Sequence, residues 1–155
     1  MTETFIINGK NYCLDFHGAD TLLTVLRKNG FTEIKNGCGE GTCGSCMILL
    51  EGKPVNSCQV LAGSVLLKQI TTVQGIGTIH SPHPIQKAFV ETGAVQCGFC
   101  TPAKVLCAYA LLAKNLNPSD EEIKNAFDGT LCRCTGYVKI IEAVRLAARR
   151  MKENE

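Results

Sequence analysis

Gly37-Cys38-Gly39-Glu40-Gly41-Thr42-Cys43-Gly44-Ser45-Cys46 is the stretch that organises this chain. Three cysteines stand in the spacing C-x4-C-x2-C, and a fourth, Cys58, follows twelve residues after Cys46. Glycine takes four of the ten positions of the stretch. Glycine tolerates positive φ and adds no side chain, so such a loop is poor structure unless something organises it. Thiolates converging on one inorganic centre would do so. The turns needed to aim three sulfurs at one point require glycine, and bare backbone brings N–H groups close enough to hydrogen-bond the sulfurs and offset their negative charge.

The spacing is the one by which plant-type ferredoxins hold a 2Fe–2S cluster. Structural zinc sites present two C-x2–4-C pairs, a poor match to a triple cysteine loop. A second set lies further on: Cys97-Gly98-Phe99-Cys100 is a C-x2-C pair, and Cys132-Arg133-Cys134 is a C-x-C pair after 31 intervening residues. This set is less specific. Two cysteine pairs also suit a tetrahedral zinc ion, and Cys97 with Cys100 suits a redox-active disulfide. Both pairs are expected near helix starts, Cys100 before Thr101-Pro102 and Cys134 before Thr135-Gly136-Tyr137. The partial positive charge there favours thiolate with either metal.

The rest of the chain fits this division. In 155 residues, 45% are hydrophobic and 19% charged, which predicts a packed globular protein. A net charge of +2 gives no argument for nucleic acid or a membrane surface. No signal peptide and no apolar run long enough to cross a bilayer is read, so the cytoplasm is the expected compartment. In that reducing setting ten cysteines are not a disulfide framework. The first half reads as strands and one helix. Phe5 to Phe16 is a hairpin around Asn8-Gly9, Thr21 to Asn29 is helical, and Met47 to Val55 is a second hairpin around Glu51-Gly52-Lys53. Gly75 to Pro84 holds two prolines and two glycines and reads as a linker. Helices follow: Pro84 to Thr92; a run from a Thr101 cap to Lys114; one opened by the Ser119/Glu122 capping box; and one from Gly136 to Lys152. The basic end, Arg145 to Lys152, reads as helix turns whose cations suit the dipole. The expected division is 1–76, a linker over 77–84, and a helical domain over 85–155. Cys107, among Val105, Leu106, Ala108 and Leu111, reads as a buried apolar residue, and Cys13 as a strand residue. His80 and His83 are expected on the surface, and His17 in a turn.

Gln96-Cys97-Gly98-Phe99-Cys100-Thr101-Pro102 and Leu131-Cys132-Arg133-Cys134-Thr135-Gly136-Tyr137 resemble the iron–sulfur subunit of the molybdenum hydroxylases, the xanthine dehydrogenase and aldehyde oxidoreductase family. The first cysteine loop and Thr72-Val73-Gln74-Gly75-Ile76-Gly77 match in the same order. The resemblance implies an α+β architecture: an N-terminal β-grasp, plant-type ferredoxin domain followed by a C-terminal four-helix domain. Each would hold a 2Fe–2S cluster, the first on Cys38, Cys43, Cys46 and Cys58, the second on Cys97, Cys100, Cys132 and Cys134. It further implies a large partner subunit that binds molybdopterin, approached by Gln96 and Cys134, and an FAD-binding subunit near the first cluster. Single electrons would pass from molybdenum through the second cluster and the first to FAD. No catalytic residue is expected in this chain. Two positions depart from the family pattern: Ala103 stands where it has glycine, and Thr130 where it has asparagine.

A free-standing ferredoxin shuttle and a zinc or iron–sulfur redox-sensing adaptor are the alternatives. A shuttle needs only one cluster, and no basic surface supports a DNA-binding sensor. Xanthine or a related N-heterocycle is the expected substrate of the assembled enzyme.

Overall fold

The computed structural model describes residues 1–153. Strand β1 (Thr2–Ile7) pairs antiparallel with β2 (Lys10–Asp15), Phe5 opposite Tyr12. At the turn Asn8 and Gly9 have φ of 51° and 75°, the two positive angles of a type I′ turn. The same device joins β3 (Met47–Leu50) to β4 (Lys53–Asn56), with Glu51 and Gly52 at 50° and 75°. A short strand not expected from the sequence, β5 (Gln69–Thr71), fills the gap between the hairpins. It runs parallel to β1 and antiparallel to β3, so the sheet order is β2-β1-β5-β3-β4.

Helix α1 (Leu22–Lys28) is capped by Thr21, whose Oγ1 accepts from the Thr24 N–H at 3.2 Å. Leu22, Leu23, Val25 and Leu26 pack on the sheet face that carries Phe5, Ile7, Ile48 and Ile70. Asn8 has a second role beyond its turn. Its side-chain amide donates to Thr72 Oγ1 at 3.0 Å and its Oδ1 accepts from the Thr72 N–H at 2.8 Å, while the buried Thr72 hydroxyl donates to Glu33 at 2.8 Å. The first hairpin is thereby tied to the start of α2 (Val73–Ile76), a single turn also not expected from the sequence.

After the irregular residues 77–83 come α3 (Pro84–Glu91), α4 (Thr101–Leu112), α5 (Asp120–Ala126) and α6 (Val138–Glu153). Their core is Ile85, Phe89, Val105, Leu112, Ile123, Ile140 and Val144, with Cys107 buried beside it. Ser119 and Glu122 form the expected capping box on α5. Three local expectations are corrected. His83 is not a plain surface residue: half-buried, it caps α3 by accepting the Ile85 N–H on Nδ1 at 3.2 Å, and its ring lies 5.4 Å from that of Tyr109. The cap of α4 is Cys100, not Thr101, because Thr101 and Pro102 already have helical geometry. The basic end of α6 is more than a dipole effect: Arg150 makes a forked pair with Glu91 of α3 at 2.9 and 2.6 Å, Arg145 pairs with Asp120 of α5, and Lys152 donates to Asn117. Cys13 lies on β2 and is exposed. Among the described residues no helix is long and apolar enough to cross a membrane.

Sheet and helices are joined by apolar contact. Leu49 of β3 meets Leu106 and Ala110 of α4, and Met47 packs against the helical core. Leu106→Ala should therefore cost about 2–5 kcal/mol. Hydrogen exchange should speed up in β3 as well as in α4, because the truncated side chain is shared by both.

Candidate iron–sulfur sites

Register explains how two of the first four cysteines meet. Met47 pairs with Asn56 at the open end of the second hairpin. The residues just outside that pair, Cys46 and Ser57, are therefore side by side, and Ser57 Oγ donates to the Cys46 carbonyl at 2.7 Å. Cys58 follows in a 3-10 turn (Ser57–Gln59) and its thiol interacts directly with that of Cys46; both are buried. Cys38 and Cys43 come from the glycine loop above and form a second, more open pair.

The environments of the two pairs differ. The Thr42 hydroxyl and the N–H groups of Glu40 and Cys43 hold the Cys38 thiol down to about 6. Burial pushes Cys46 up to about 11. Donors surround the sulfurs: Glu40 N–H to Cys38 Sγ at 3.4 Å, the Gln59 amide to Cys58 Sγ at 3.5 Å, and the Ser45 hydroxyl 3.2 Å from Cys43 Sγ.

The second set is assembled from the start of α4 and the loop between α5 and α6. Cys97 and Cys100 flank a turn closed by the Thr101 N–H donating to the Gly98 carbonyl at 3.2 Å. In the other loop the Cys132 N–H donates to Tyr137 Oη at 2.9 Å, and the Thr135 hydroxyl lies 3.1 Å from Cys132 Sγ. Again the thiols come in pairs, an outer one of Cys97 with Cys134, both exposed, and an inner one of Cys100 with Cys132. The thiolate-favouring position is not the helix start. Burial, then Cys132, pushes Cys100 up to about 12. Burial also acts upward on Cys132, but the hydroxyl and N–H of Thr135 and the N–H of Cys134 outweigh it and bring that thiol to about 7. Gln96 is exposed next to Cys97.

Two thiol pairs per site suit a two-iron cluster, in which each iron takes two cysteines. One tetrahedral ion would instead need all four sulfurs at a single point rather than in two pairs. The high positions of Cys46 and Cys100 fit metal ligation in general, since a buried thiol is deprotonated readily only when a metal ion takes the proton's place.

The two sites touch. The Leu131 N–H, one residue before Cys132, donates to the carbonyl of Cys43 at 2.9 Å. Gly44, at φ 67°, lies so close to the second loop that a β-carbon would collide with the Gly129 carbonyl oxygen and stand 2.8 Å from Thr130 Cα. The Phe99 ring also reaches the first loop, at ordinary contact distance from Gly37. Sequence reasoning missed this contact entirely; the glycine at position 44 was its only trace.

Comparison with known proteins agrees with the two-site architecture. Residues 5–69 match a family described as a 2Fe-2S iron-sulfur cluster binding domain, and residues 72–145 match one described as a [2Fe-2S] binding domain. The chain is thus an electron-transfer protein with two 2Fe–2S-binding domains in tandem. It is 46% identical over 151 residues to the nicotinate dehydrogenase small FeS subunit of Eubacterium barkeri, covering 97% of this chain and 96% of the relative. It is 40% identical over 155 residues to the xanthine dehydrogenase of Emericella nidulans, covering 93% of this chain and only 11% of that larger protein. A chain in the crystal structure of quinoline 2-oxidoreductase from Pseudomonas putida 86 superposes with a TM-score of 0.93 at 37% identity, covering 100% of this chain and 98% of that one. The chain belongs to the family of iron–sulfur subunits of the molybdenum hydroxylases.

Cys43→Ser keeps the backbone carbonyl that Leu131 uses, so it should lose the iron of the first site and leave the second, removing about half of the total. Gly44→Ala should disturb both sites, because its methyl group must push against backbone two residues before Cys132. Iron content and the low-temperature spectra of the two clusters separate these outcomes.

Proposed function

We propose that this chain is the internal electron-transfer subunit of a heteromeric molybdenum hydroxylase acting on an N-heterocycle, nicotinate being the first candidate. On this reading the chain carries single electrons from a molybdopterin centre in a large partner subunit toward FAD in another. Cys38, Cys43, Cys46 and Cys58 hold one cluster and Cys97, Cys100, Cys132 and Cys134 the other, within a β-grasp domain over about 1–76 and a four-helix domain over about 85–155 joined through residues 77–84. When bound, the clusters supply one-electron carriers, and the remaining work belongs to the chain's own residues.

The observation that carries the reading is the hydrogen bond from the Leu131 N–H to the Cys43 carbonyl. It links the cysteine loops of two sites through one short bridge, which a carrier with independent sites does not need. Exposure supports an order along the bridge. Cys97 and Cys134 face outward, beside Gln96. Near them in the chain Val95, Phe99, Leu131 and Val138 are exposed at 36%, 46%, 58% and 61%, an apolar rim of the kind that partner proteins cover. The buried Cys46 and Cys58 lie on the sheet side of the other site. The N-heterocycle is favoured over an aldehyde because relatives matching the chain end to end are a nicotinate dehydrogenase subunit and a chain of a quinoline oxidoreductase. Xanthine belongs to the same chemical class.

The purified complex should contain about four iron and four inorganic sulfide per copy of this chain. It should also contain a large molybdenum subunit, and nicotinate should bleach the visible absorbance of the clusters. Isolation of the chain from its host as a lone monomer, or reduction by an aldehyde with no response to nicotinate, would overturn the partner or the substrate part of the reading respectively.

A further inference from the structure

Position 104 is out of character with its surroundings. Ala103-Lys104-Val105-Leu106-Cys107-Ala108 is otherwise an apolar run on α4, and Lys104 is fully buried at 0% exposure. It lies four residues after Cys100, one helical turn along the same face. Its ammonium donates to the carbonyl of Thr130, two residues before Cys132, and stands 4.8 Å from the centre of the Phe127 ring and 4.6 Å from that of Tyr137. Tyr137 in turn accepts the Cys132 N–H on its hydroxyl. The lysine is therefore clamped between the helix that Cys100 caps and the loop that carries Cys132.

A buried ammonium needs an opposite charge. None of the ion pairs found among the described residues involves Lys104. Burial pulls its pKa below the ordinary lysine value, and the charges that act against this are those of Cys100, Cys107 and Cys132. Cys107 is itself held protonated by burial, which raises its pKa. Cys107 also belongs to neither cysteine set, whereas Cys100 and Cys132, the inner pair of the second site, would be held as thiolates by a bound cluster.

We propose that Lys104 is the built-in counter-charge of the second site, a positioning residue whose fixed ammonium raises the reduction potential of the cluster held by Cys97, Cys100, Cys132 and Cys134. This deepens the function proposed above and rests on its ligand assignment. Reduction adds one electron to the site and makes or breaks no bond. The added negative charge is stabilised by a cation that cannot leave, in surroundings too dry to screen it.

The test is a redox titration of the assembled complex with dithionite and mediators, following the spectra of the two reduced clusters at low temperature. Wild type must first show two signals; a single signal would remove the ligand assignment and this inference with it. Given two, Lys104→Met should lower the reduced-to-oxidised ratio of the second cluster at least tenfold at the wild-type midpoint, which for a one-electron couple is 59 mV. The first cluster should stay in place, and Lys104→Arg, which keeps the charge, should keep the second within threefold of wild type. A Met variant with both clusters present and an unmoved second midpoint overturns the proposal. If the Met variant loses the second cluster, Lys104→Gln is titrated in its place under the same criteria. Loss from Met and Gln but not Arg supports the charge requirement, and loss from all three assigns Lys104 to packing alone and overturns it.

Discussion

The structure depends on one close approach: Gly44 lies against Gly129 and Thr130 with no room for a β-carbon, and the Leu131 N–H is held by the Cys43 carbonyl. Any side chain at position 44 would separate the two loops. Because each loop carries cysteines that precede or follow the contact by at most three residues, the approach fixes one site against the other. The apolar joint of Leu49, Leu106 and Ala110 then serves to hold the sheet and the helices at the distance this contact requires. Hydrophobic burial supplies the energy of that joint, but the hydrogen bond and the missing β-carbon supply its geometry.

Much of this was legible in the residues. Asn8-Gly9 and Glu51-Gly52 marked their turns because positive φ is a property of single residues. Ser119 and Glu122 marked a helix start because capping is a local contact. The grouping of cysteines into two sets followed from spacing. Features made by distant residues were not legible. Strand β5 is three residues long with one buried apolar side chain, Ile70, and owes its place to the two hairpins it lies between. Asn8 reads as a turn residue and gives no hint that its amide also grips Thr72. His83 reads as a loop histidine until Tyr109 arrives from α4. The pairing of thiols within each set, Cys38 with Cys43 and Cys97 with Cys134, likewise has no signature in one dimension.

The two sites also differ in how they manage charge. Around the first, hydrogen-bond donors do most of the work: Thr42, the Glu40 and Cys43 N–H groups, Gln59 and Ser45. All are neutral dipoles, and the buried cysteines sit against an apolar core. Around the second, dipoles from Thr135 and Cys134 act on Cys132, but the proposed cation, Lys104, is buried against the same loop. A dipole's field falls off faster than that of a charge, so it tunes mainly the atom it touches, while a charge in a dry interior is felt by every sulfur nearby.

That difference bears on direction. For electrons to move from the second site to the first in small steps, neither site may be a deep sink, and the receiving edge must accept an electron without solvent to stabilise it. The outer pair, Cys97 and Cys134, is exposed here but would be dried by a partner docking on the rim of Val95, Phe99, Leu131 and Val138. Docking removes water, strengthens every remaining electrostatic interaction, and makes added negative charge harder to accommodate. A fixed cation behind the inner pair offsets that penalty from the side no partner reaches. On the proposed reading, the apolar rim and the buried lysine are two halves of one solution: the rim excludes water so that contact with the partner's centre can be close, and Lys104 supplies the compensation that the excluded water no longer can.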